Sequence, residues 1–264
     1  MDDTQLSNAR AIRIADALAS DWEPRAPYRT LMDDLAPTDL TDAYRAQEHL
    51  QRKWEPTRGT IAGRKIALAS AAMQDMVGIH QPVAGAIFAK DVHESGAEIS
   101  LSAFRHLGLE YELAFEMAQD VDARVEAETV LDLVARVRPA FELIEDKGAD
   151  YSALDVKTLV ADNAWCGGIV LGGPIDNWRD LDLGNLPSVL SQNGRDDENG
   201  NTGAADPVNS LVWTLNHFTG RRGVVKAGEV IITGSVLKTR FPAPGDRLRY
   251  DITGHGAVEV AITA

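Results

Sequence analysis

The feature of this sequence that most constrains its fold is a series of short β-type runs after residue 60, separated by glycine and proline. Segments of very unequal length join the runs, and helical patterns interrupt only some of them, so the regular alternation of a doubly wound parallel sheet is absent. We therefore expect an α+β fold in which a mixed or antiparallel sheet is rolled on itself, with peripheral helices. The runs lie at 66–69, 83–88, 109–117, 141–145, 168–172, 229–237, 247–252 and 257–264.

Helical patterns dominate the first 60 residues. Amphipathic periodicity at 4–20 and 40–54 predicts a helical N-terminal segment over residues 1–60, followed by one domain over 61–264. We expect the second helix to end before Pro56, because proline disfavours the helical conformation of the residue before it. The runs at 247–252 and 257–264 are typical of an antiparallel pair. Further helices are expected at about 71–77, 126–136, 152–160 and 207–219.

The charge balance limits the partners that this chain can bind. With 26 basic and 40 acidic residues, the net charge is −14, which argues against nucleic acid and against anionic membrane surfaces. An anionic substrate would then need a local positive centre, which a metal ion and a lysine could supply. No H-E-x-x-H, G-x-S-x-G or G-x-G-x-x-G pattern occurs, so the corresponding zinc, serine-hydrolase and dinucleotide sites are disfavoured.

The cellular location is predicted from segments that the sequence lacks. The single cysteine, Cys166, leaves no intramolecular disulfide and no cysteine-based zinc cluster. The acidic N-terminus is unlike a signal peptide, and no run reaches the ~18 uncharged apolar residues of a membrane span. We expect a cytoplasmic protein.

Three glutamates are candidate metal ligands. Glu110 and Glu112 are two residues apart in a strand-like run, so their side chains point to the same face and repel each other unless a cation or a proton lies between them. Glu142 lies among apolar residues, where an unpaired carboxylate is costly to bury. Three carboxylates suit Mg²⁺ or Mn²⁺. Alternatively, the Glu-x-Glu pair is the solvated face of an edge strand, since no spacing rule links Glu142 to it.

Lys65 and Asn163 are candidate residues of a pocket. Lys65 precedes an apolar run and could neutralise a substrate carboxylate or a developing enolate, although a surface lysine at the start of a strand is the commoner case. Asn163 lies at the start of a glycine-rich apolar run. Such a segment packs tightly or lines a pocket, or else it forms an ordinary turn at a helix end.

Taken together, seven segments from about Asp42 onward resemble the 2-keto-4-pentenoate hydratase and 4-oxalocrotonate decarboxylase group of the fumarylacetoacetate hydrolase superfamily. They are GRKIALAS with MQ at 73–74, QPVAG at 81–85, LEYELAF, PAFELIE, VADNAWCG, DPVNSLVW, and GEVIITGS followed by PAPGD. The resemblance implies a mixed β-roll with a helical N-terminal segment, and a catalytic domain over 61–264. It also implies Mg²⁺ or Mn²⁺ bound by residues matching Glu110, Glu112 and Glu142, an active-site lysine matching Lys65, and assembly into homo-oligomers.

Two positions depart from the group's pattern. Hydratases of this group usually read QPDFG, where this chain has Val83 in place of the aspartate, and some relatives carry serine after ADNA, where this chain has Trp165. The apolar substitutions remove polar groups that would help to move protons, so the general acid or base is not identified. Together with Ser70 and Asn163, these two residues form the set that we expect to contact substrate.

The resemblance implies a lyase of the hydratase type that acts on a 2-oxo or 2-hydroxydienoic acid from the breakdown of aromatic compounds. The same metal site would also serve decarboxylation of a 2-oxo acid or C–C hydrolysis of an acylpyruvate. An alternative of another class is a non-catalytic scaffold subunit, because the two apolar substitutions alter the expected pocket.

Overall fold

The computed structural model describes residues 3–22 and 24–264. The α-helices in these ranges are α1 (Asp3–Trp22), α2 (Leu40–Arg58), α3 (Ala71–Met76), α4 (Val156–Ala161) and α5 (Pro207–Gly220). The strands are β1 (Ile61–Ala67), β2 (Val83–Phe88), β3 (Val92–Glu94), β4 (Ala97–Ser100), β5 (Leu107–Met117), β6 (Val134–Glu145), β7 (Cys166–Leu171), β8 (Pro187–Gln192), β9 (Arg195–Asn201), β10 (Val230–Ile232), β11 (Arg247–Ile252) and β12 (Gly256–Thr263). None of the described helices has the length and hydropathy that a bilayer span requires.

The strands form two sheets. One has seven strands in the order β2-β1-β10-β5-β6-β7-β3, and the other has five in the order β4-β12-β11-β8-β9. Both sheets are mixed, because β1–β10, β3–β7 and β4–β12 are parallel pairs whereas the other neighbours are antiparallel. The larger sheet curls until β2 lies against β7. The expected α+β roll with peripheral helices is confirmed.

Side-chain alternation along β5 and β6 separates two environments. Leu113, Phe115 and Phe141 point toward the smaller sheet and join its Tyr250 in one apolar core. The residues between them point into the roll, where Ala114 and other small or branched side chains pack together. Because successive strand residues face opposite sides, Glu110 and Glu112 on β5 share the inner face with Ala114.

The helices α1 and α2 bury their apolar faces against the outside of the roll. Ile14 of α1 and Leu50 of α2 are fully buried in the same cluster as Val83 and Phe88 of β2. Each such side chain contributes about 1.5–3 kcal/mol relative to remaining exposed. The N-terminal segment and the roll therefore share one apolar core.

Helix α2 does not end before Pro56, as expected, but continues through it to Arg58. Proline deprives the carbonyl four residues earlier, that of Arg52, of its helical partner. Arg52 is exposed, so water can replace the lost hydrogen bond. On the opposite face, Arg58 is buried and its Nε donates to Asp91 at 2.7 Å, which holds the last turn in place.

Two other local predictions needed correction, and some strands were not predicted. The expected helix at 126–136 is wrong: a 3₁₀ turn at Val130–Leu133 leads directly into β6, because residues from Val134 onward pair with β5. The run at 229–237 is a strand only over Val230–Ile232. The strands β8 and β9 were not predicted, since their polar sequences lack the expected apolar alternation. The terminal pair β11–β12 is confirmed.

Candidate metal centre and adjoining cavity

The three candidate glutamates meet on the inner face of the roll. In the antiparallel β5–β6 pair, Glu110 lies directly opposite Glu142, and Glu112 follows two residues later on the same face. One carboxylate oxygen from each of the three lies within 4.8 Å of the others. Glu112 and Glu142 have no exposed surface, and Glu110 is partly exposed. The structure therefore brings together residues that are 32 positions apart in the chain.

Hydrogen bonds satisfy only part of this carboxylate cluster. Glu112 Oε2 accepts from the backbone N–H of Gly234 at 2.6 Å, and Glu110 Oε1 accepts from Thr239 Oγ1 at 2.6 Å. Glu112 Oε1 and Glu142 Oε2 have no hydrogen-bond partner within the described ranges. Since a buried, unpartnered carboxylate oxygen is costly, these two atoms indicate a missing positive ligand.

Burial perturbs the proton affinity of the cluster. It raises the pKa of Glu142 to about 7, where the Lys65 charge opposes the shift and Glu110 adds to it. Burial likewise raises the pKa of Glu112 well above its usual range, and repulsion from Glu142 and Glu110 acts in the same direction. Three carboxylates and one lysine carry a formal charge of −2, which a divalent cation balances. The all-oxygen donor set fits a hard ion such as Mg²⁺ or Mn²⁺.

Lys65 is buried beside these glutamates. Its Nζ lies 2.9 Å from Glu142 Oε1 and donates to the carbonyl of Ala164 at 3.0 Å. Burial disfavours the charged form of Lys65, but the Glu142 carboxylate overrides that effect, so the pKa of Lys65 is raised. The ammonium group therefore stays charged and holds Glu142 toward the other two carboxylates.

The carbonyl that receives this lysine belongs to a strained turn at 163–165. Asn163, Ala164 and Trp165 have φ values of 56°, 49° and 58°, in the left-handed region that costs an L-residue roughly 1–2 kcal/mol. The Asn163 amide holds the turn, because it bonds both the N–H and the carbonyl of Ala86 at 2.8 Å and accepts from Gln51 Nε2 at 2.9 Å. Strain of this kind persists where surrounding contacts over-determine the backbone.

A cavity of about 500 Å³ opens beside Glu110. Ser70 lines it and is exposed, while its hydroxyl accepts the N–H of Met73 as the cap of α3. Met73 also lines the cavity. The remaining lining residues are Ile66, Ala67, Leu68, Ala69, Glu198, Ala204, Ala205, Gly234, Ser235, Val236, Leu237, Lys238 and Thr239.

The other expected substrate contacts lie outside the lining of this cavity. Val83 is fully buried among the N-terminal helices. The left-handed turn directs Trp165 to the same side, where it packs edge-on against Tyr28 and Tyr151 with ring centroids 5.5 and 5.8 Å away. The side-chain amide of Asn163 forms its hydrogen bonds with Ala86 and Gln51 of the protein itself. Trp165 therefore lies outside the cavity beside Glu110, although the sequence analysis placed it among the expected substrate contacts.

Comparison with known proteins identifies the family. The family model described as fumarylacetoacetate (FAA) hydrolase C-terminal matches residues 62–263. The chain belongs to the fumarylacetoacetate hydrolase family. This family member is 32% identical over 272 residues to the 2-hydroxyhexa-2,4-dienoate hydratase of Comamonas testosteroni, with 100% of both chains covered. It is 34% identical to the 2-keto-4-pentenoate hydratase of Paraburkholderia xenovorans (strain LB400), covering 89% of this chain and 87% of that one.

A solved structure supports the fold of this fumarylacetoacetate hydrolase family member. The 4-oxalocrotonate decarboxylase from Pseudomonas putida G7, complexed with magnesium and adipate, superposes with a TM-score of 0.88 at 23% identity and covers 99% of this chain and 98% of that one. The resemblance to the hydratase and decarboxylase group is thus confirmed.

Sequence reasoning missed several residues of this family member's site. Thr239 and the N–H of Gly234 hold two of the glutamates, and Gln51 of α2 reaches the turn at 163–165. Gly234 lies in the GEVIITGS segment that marks the resemblance, so a signal was present for it. Gln51 gave none, because a polar residue in an amphipathic helix is usually solvated.

Proposed function

We propose that this chain is a divalent-metal-dependent hydratase that converts a 2-hydroxydienoic acid to a 4-hydroxy-2-oxo acid. The observation that carries the proposal is the convergence of Glu110, Glu112 and Glu142 around two unpartnered buried oxygens, with Lys65 beside them. The hydratase activity named for relatives that are 32% and 34% identical supports this reaction over others on the same site.

The three glutamates would hold Mg²⁺ or Mn²⁺. When bound, the ion attracts the substrate carboxylate and 2-oxygen and stabilises negative charge that develops on that oxygen. Lys65 has three N–H donors. Two of them face Glu142 and the Ala164 carbonyl, which leaves the third to bind a substrate oxygen. The residues lining the cavity would then hold the carbon chain of the substrate.

The proposed reaction has two balanced stages. First, the proton of the 2-hydroxyl is lost and carbon 5 gains a proton, which turns the dienol into a 2-oxo-3-enoic acid. Water then adds across the remaining double bond: its hydroxyl joins carbon 4 and its proton joins carbon 3. This chain's contribution to both stages is to fix the oxygens at carbons 1 and 2, because a positioned electron sink lowers the barrier to each.

Product analysis tests this proposal. The protein is incubated with Mg²⁺ and 2-hydroxypenta-2,4-dienoate, and separately with a 2-oxo dicarboxylic acid. We expect 4-hydroxy-2-oxopentanoate by NMR from the first, and no carbon dioxide from the second. Carbon dioxide release without a hydroxy acid would establish decarboxylation instead. Absence of turnover in wild type, with no effect of Mg²⁺ on any property, would favour the scaffold alternative.

Two further expectations stay predictions. Assembly into a homo-oligomer is checked by light scattering during size-exclusion chromatography, and cytoplasmic location by fractionation of the source cell.

We also propose that Ser70 contacts substrate, since it lines the cavity. For Val83, Asn163 and Trp165 we propose an indirect role, in which they hold the turn and the strand that position Lys65.

A further inference from the structure

The cavity beside Glu110 is mainly apolar away from the glutamates. The larger apolar residues of its lining are Ile66, Leu68, Met73, Val236 and Leu237, and the small ones are alanines 67, 69, 204 and 205. Because Glu110 lines this cavity, a 2-oxo acid fixed through carbons 1 and 2 at the glutamates would extend its far carbons into it. The lining therefore sets which substrate tails the site accepts.

We propose that Leu68, Met73 and Leu237 form a seat for an apolar substrate tail. Met73 covers that tail, so that the protein prefers 2-hydroxydienoic acids ending in an alkyl group to those ending in a second carboxylate. The inference rests on the proposed function, whose substrate class it narrows.

Met73 has the properties of such a cover. It projects from the six-residue helix α3 and is 37% exposed, although it lines the cavity. An exposed apolar side chain gains by covering another apolar group, and methionine adapts its shape because it is unbranched and has three rotatable bonds. Met76 lies one turn later on the same helix and is 47% exposed, but it is absent from the lining of the cavity as described.

The charged residues that line the cavity would stabilise a second substrate carboxylate only weakly. Glu198 would repel it, although Arg240 Nη2 lies 3.4 Å from the Glu198 carboxylate. Lys238 would attract it, but Lys238 is exposed, and an exposed ion pair gains little in water. Against this small gain stands the cost of taking the carboxylate out of water beside Leu68 and Leu237. The apolar tail is therefore favoured.

Binding of a homologous series tests the seat without requiring turnover. Calorimetry with the Mg²⁺-loaded protein measures the affinity of pyruvate, 2-oxobutanoate, 2-oxopentanoate and 2-oxoglutarate. We expect a gain of up to about fourfold for each added methylene, which corresponds to ~0.8 kcal/mol per buried methylene. 2-Oxoglutarate should bind more weakly than 2-oxopentanoate. In Met73→Ala the gain per methylene should fall, whereas Met76→Ala should keep it.

Kinetics supply the second measurement. The ratio of kcat/KM for 2-hydroxyhexa-2,4-dienoate to that for 2-hydroxypenta-2,4-dienoate should fall severalfold in Met73→Ala and stay unchanged in Met76→Ala. The proposal is overturned if Met73→Ala leaves both the ratio and the methylene gain unaltered. It is also overturned if 2-oxoglutarate binds best and Lys238→Ala abolishes that preference. If affinity rises with each added methylene but the protein hydrates neither dienoate, the proposed seat is supported and the proposed hydratase function is contradicted.

Discussion

At the scale of single residues, Glu112 and Glu142 combine full burial with an oxygen that no described group satisfies. A buried carboxylate normally accepts several hydrogen bonds or faces a cation. Among the described residues, the backbone supplies one donor to Glu112, and Lys65 is the donor that faces Glu142. The metal-free protein therefore carries an electrostatic cost that a divalent cation would remove.

This cost predicts how the protein responds to metal. Mg²⁺ or Mn²⁺ should raise the Tm of wild type, because a ligand that binds only the folded state stabilises it by about 2.7 kcal/mol at 100 times its Kd. Chelation should reverse the rise. In Glu112→Gln the metal-induced rise should be largely lost and the Kd measured by calorimetry should increase at least about tenfold, since one charged ligand is gone.

Glu116→Gln is the matched control. Glu116 lies on the same strand, but it is partly exposed and pairs with Arg136. Its replacement should leave the metal response intact. Equal responses of the two variants to Mn²⁺ would contradict the assignment of Glu112 as a ligand.

The sequence specified which acidic residues to consider but not which apolar ones. Glu110, Glu112, Glu142 and Lys65 were candidates from their sequence context, and the resemblance then matched all four; alternation along one strand accounts for the first two. Val83 and Trp165 lie outside the lining of the cavity, which residue type could not indicate because the direction of a side chain depends on strand pairing and on backbone φ. Three consecutive left-handed residues at 163–165 are not foreseeable from residue type, since only asparagine among them favours that region.

At the scale of elements, the turn between α4 and β7 connects the N-terminal helices to the site. Gln51 of α2 donates to Asn163, Asn163 bonds β2, and the next carbonyl receives Lys65. Displacement of α2 would therefore change the position of Lys65 through a short series of hydrogen bonds.

Two substitutions of Asn163 should distinguish the effect of backbone strain on the free energy of unfolding from the effect of hydrogen bonding. Asn163→Ala loses three hydrogen bonds at a buried site and should lower the free energy of unfolding by about 3 kcal/mol. Asn163→Gly loses the same bonds but tolerates positive φ, so it should be roughly 1 kcal/mol more stable than Asn163→Ala. Urea denaturation measures both differences, and equal stability of the two variants would show that the turn is not strained.

Gln51→Leu is a milder change, and it tests whether helix α2 positions Lys65. It removes the hydrogen bonds from Gln51 to Asn163 and to Gln47. Under the proposed function it should reduce kcat more than it changes KM, because Lys65 would act on charge that develops during the reaction. A KM effect alone would indicate that α2 shapes the substrate cavity instead.

Long, strongly patterned elements such as α5, β2 and β11 were predicted with nearly correct bounds. The stretch at 126–136 was misassigned because pairing with β5 outweighs its local helical pattern.

At the scale of the whole molecule, α5 joins the N-terminal helices to the roll. Its His217 stacks on Trp213 with ring centroids 5.0 Å apart and contacts the ring of Tyr44 on α2 at 4.6 Å. Arg221 pairs with Glu48 of α2 at 3.0 Å. Burial lowers the pKa of His217 to about 4, and the charges of Arg221 and Arg64 act in the same direction.

This pKa predicts a dependence of stability on pH. The unfolded chain protonates His217 near its ordinary pKa of 6.5, whereas the folded protein does so only near 4. Between these values the unfolded state binds more protons, so the free energy of unfolding should decrease as pH falls from about 6.5 to about 4. The contribution of His217 is at most about 3 kcal/mol. His217→Phe keeps a ring in place and should flatten this part of the profile.

Thermal melts from pH 4 to 7.5 measure the effect. His80→Gln replaces an exposed histidine and should leave the slope as in wild type. An unchanged slope in His217→Phe would assign the acid sensitivity to other groups.

The direct pairing of Glu110 with Glu142 across β5 and β6 also bears on how such a site tolerates change over evolution. Insertions or deletions in the connection at 118–133 leave the pairing intact and can accumulate there. Loss of one residue within either strand reverses its faces beyond that point, which would turn a carboxylate toward Tyr111 and Phe141 and an aromatic ring toward the cation. Gaps in an alignment of functional relatives should therefore cluster between the two strands and avoid their interiors.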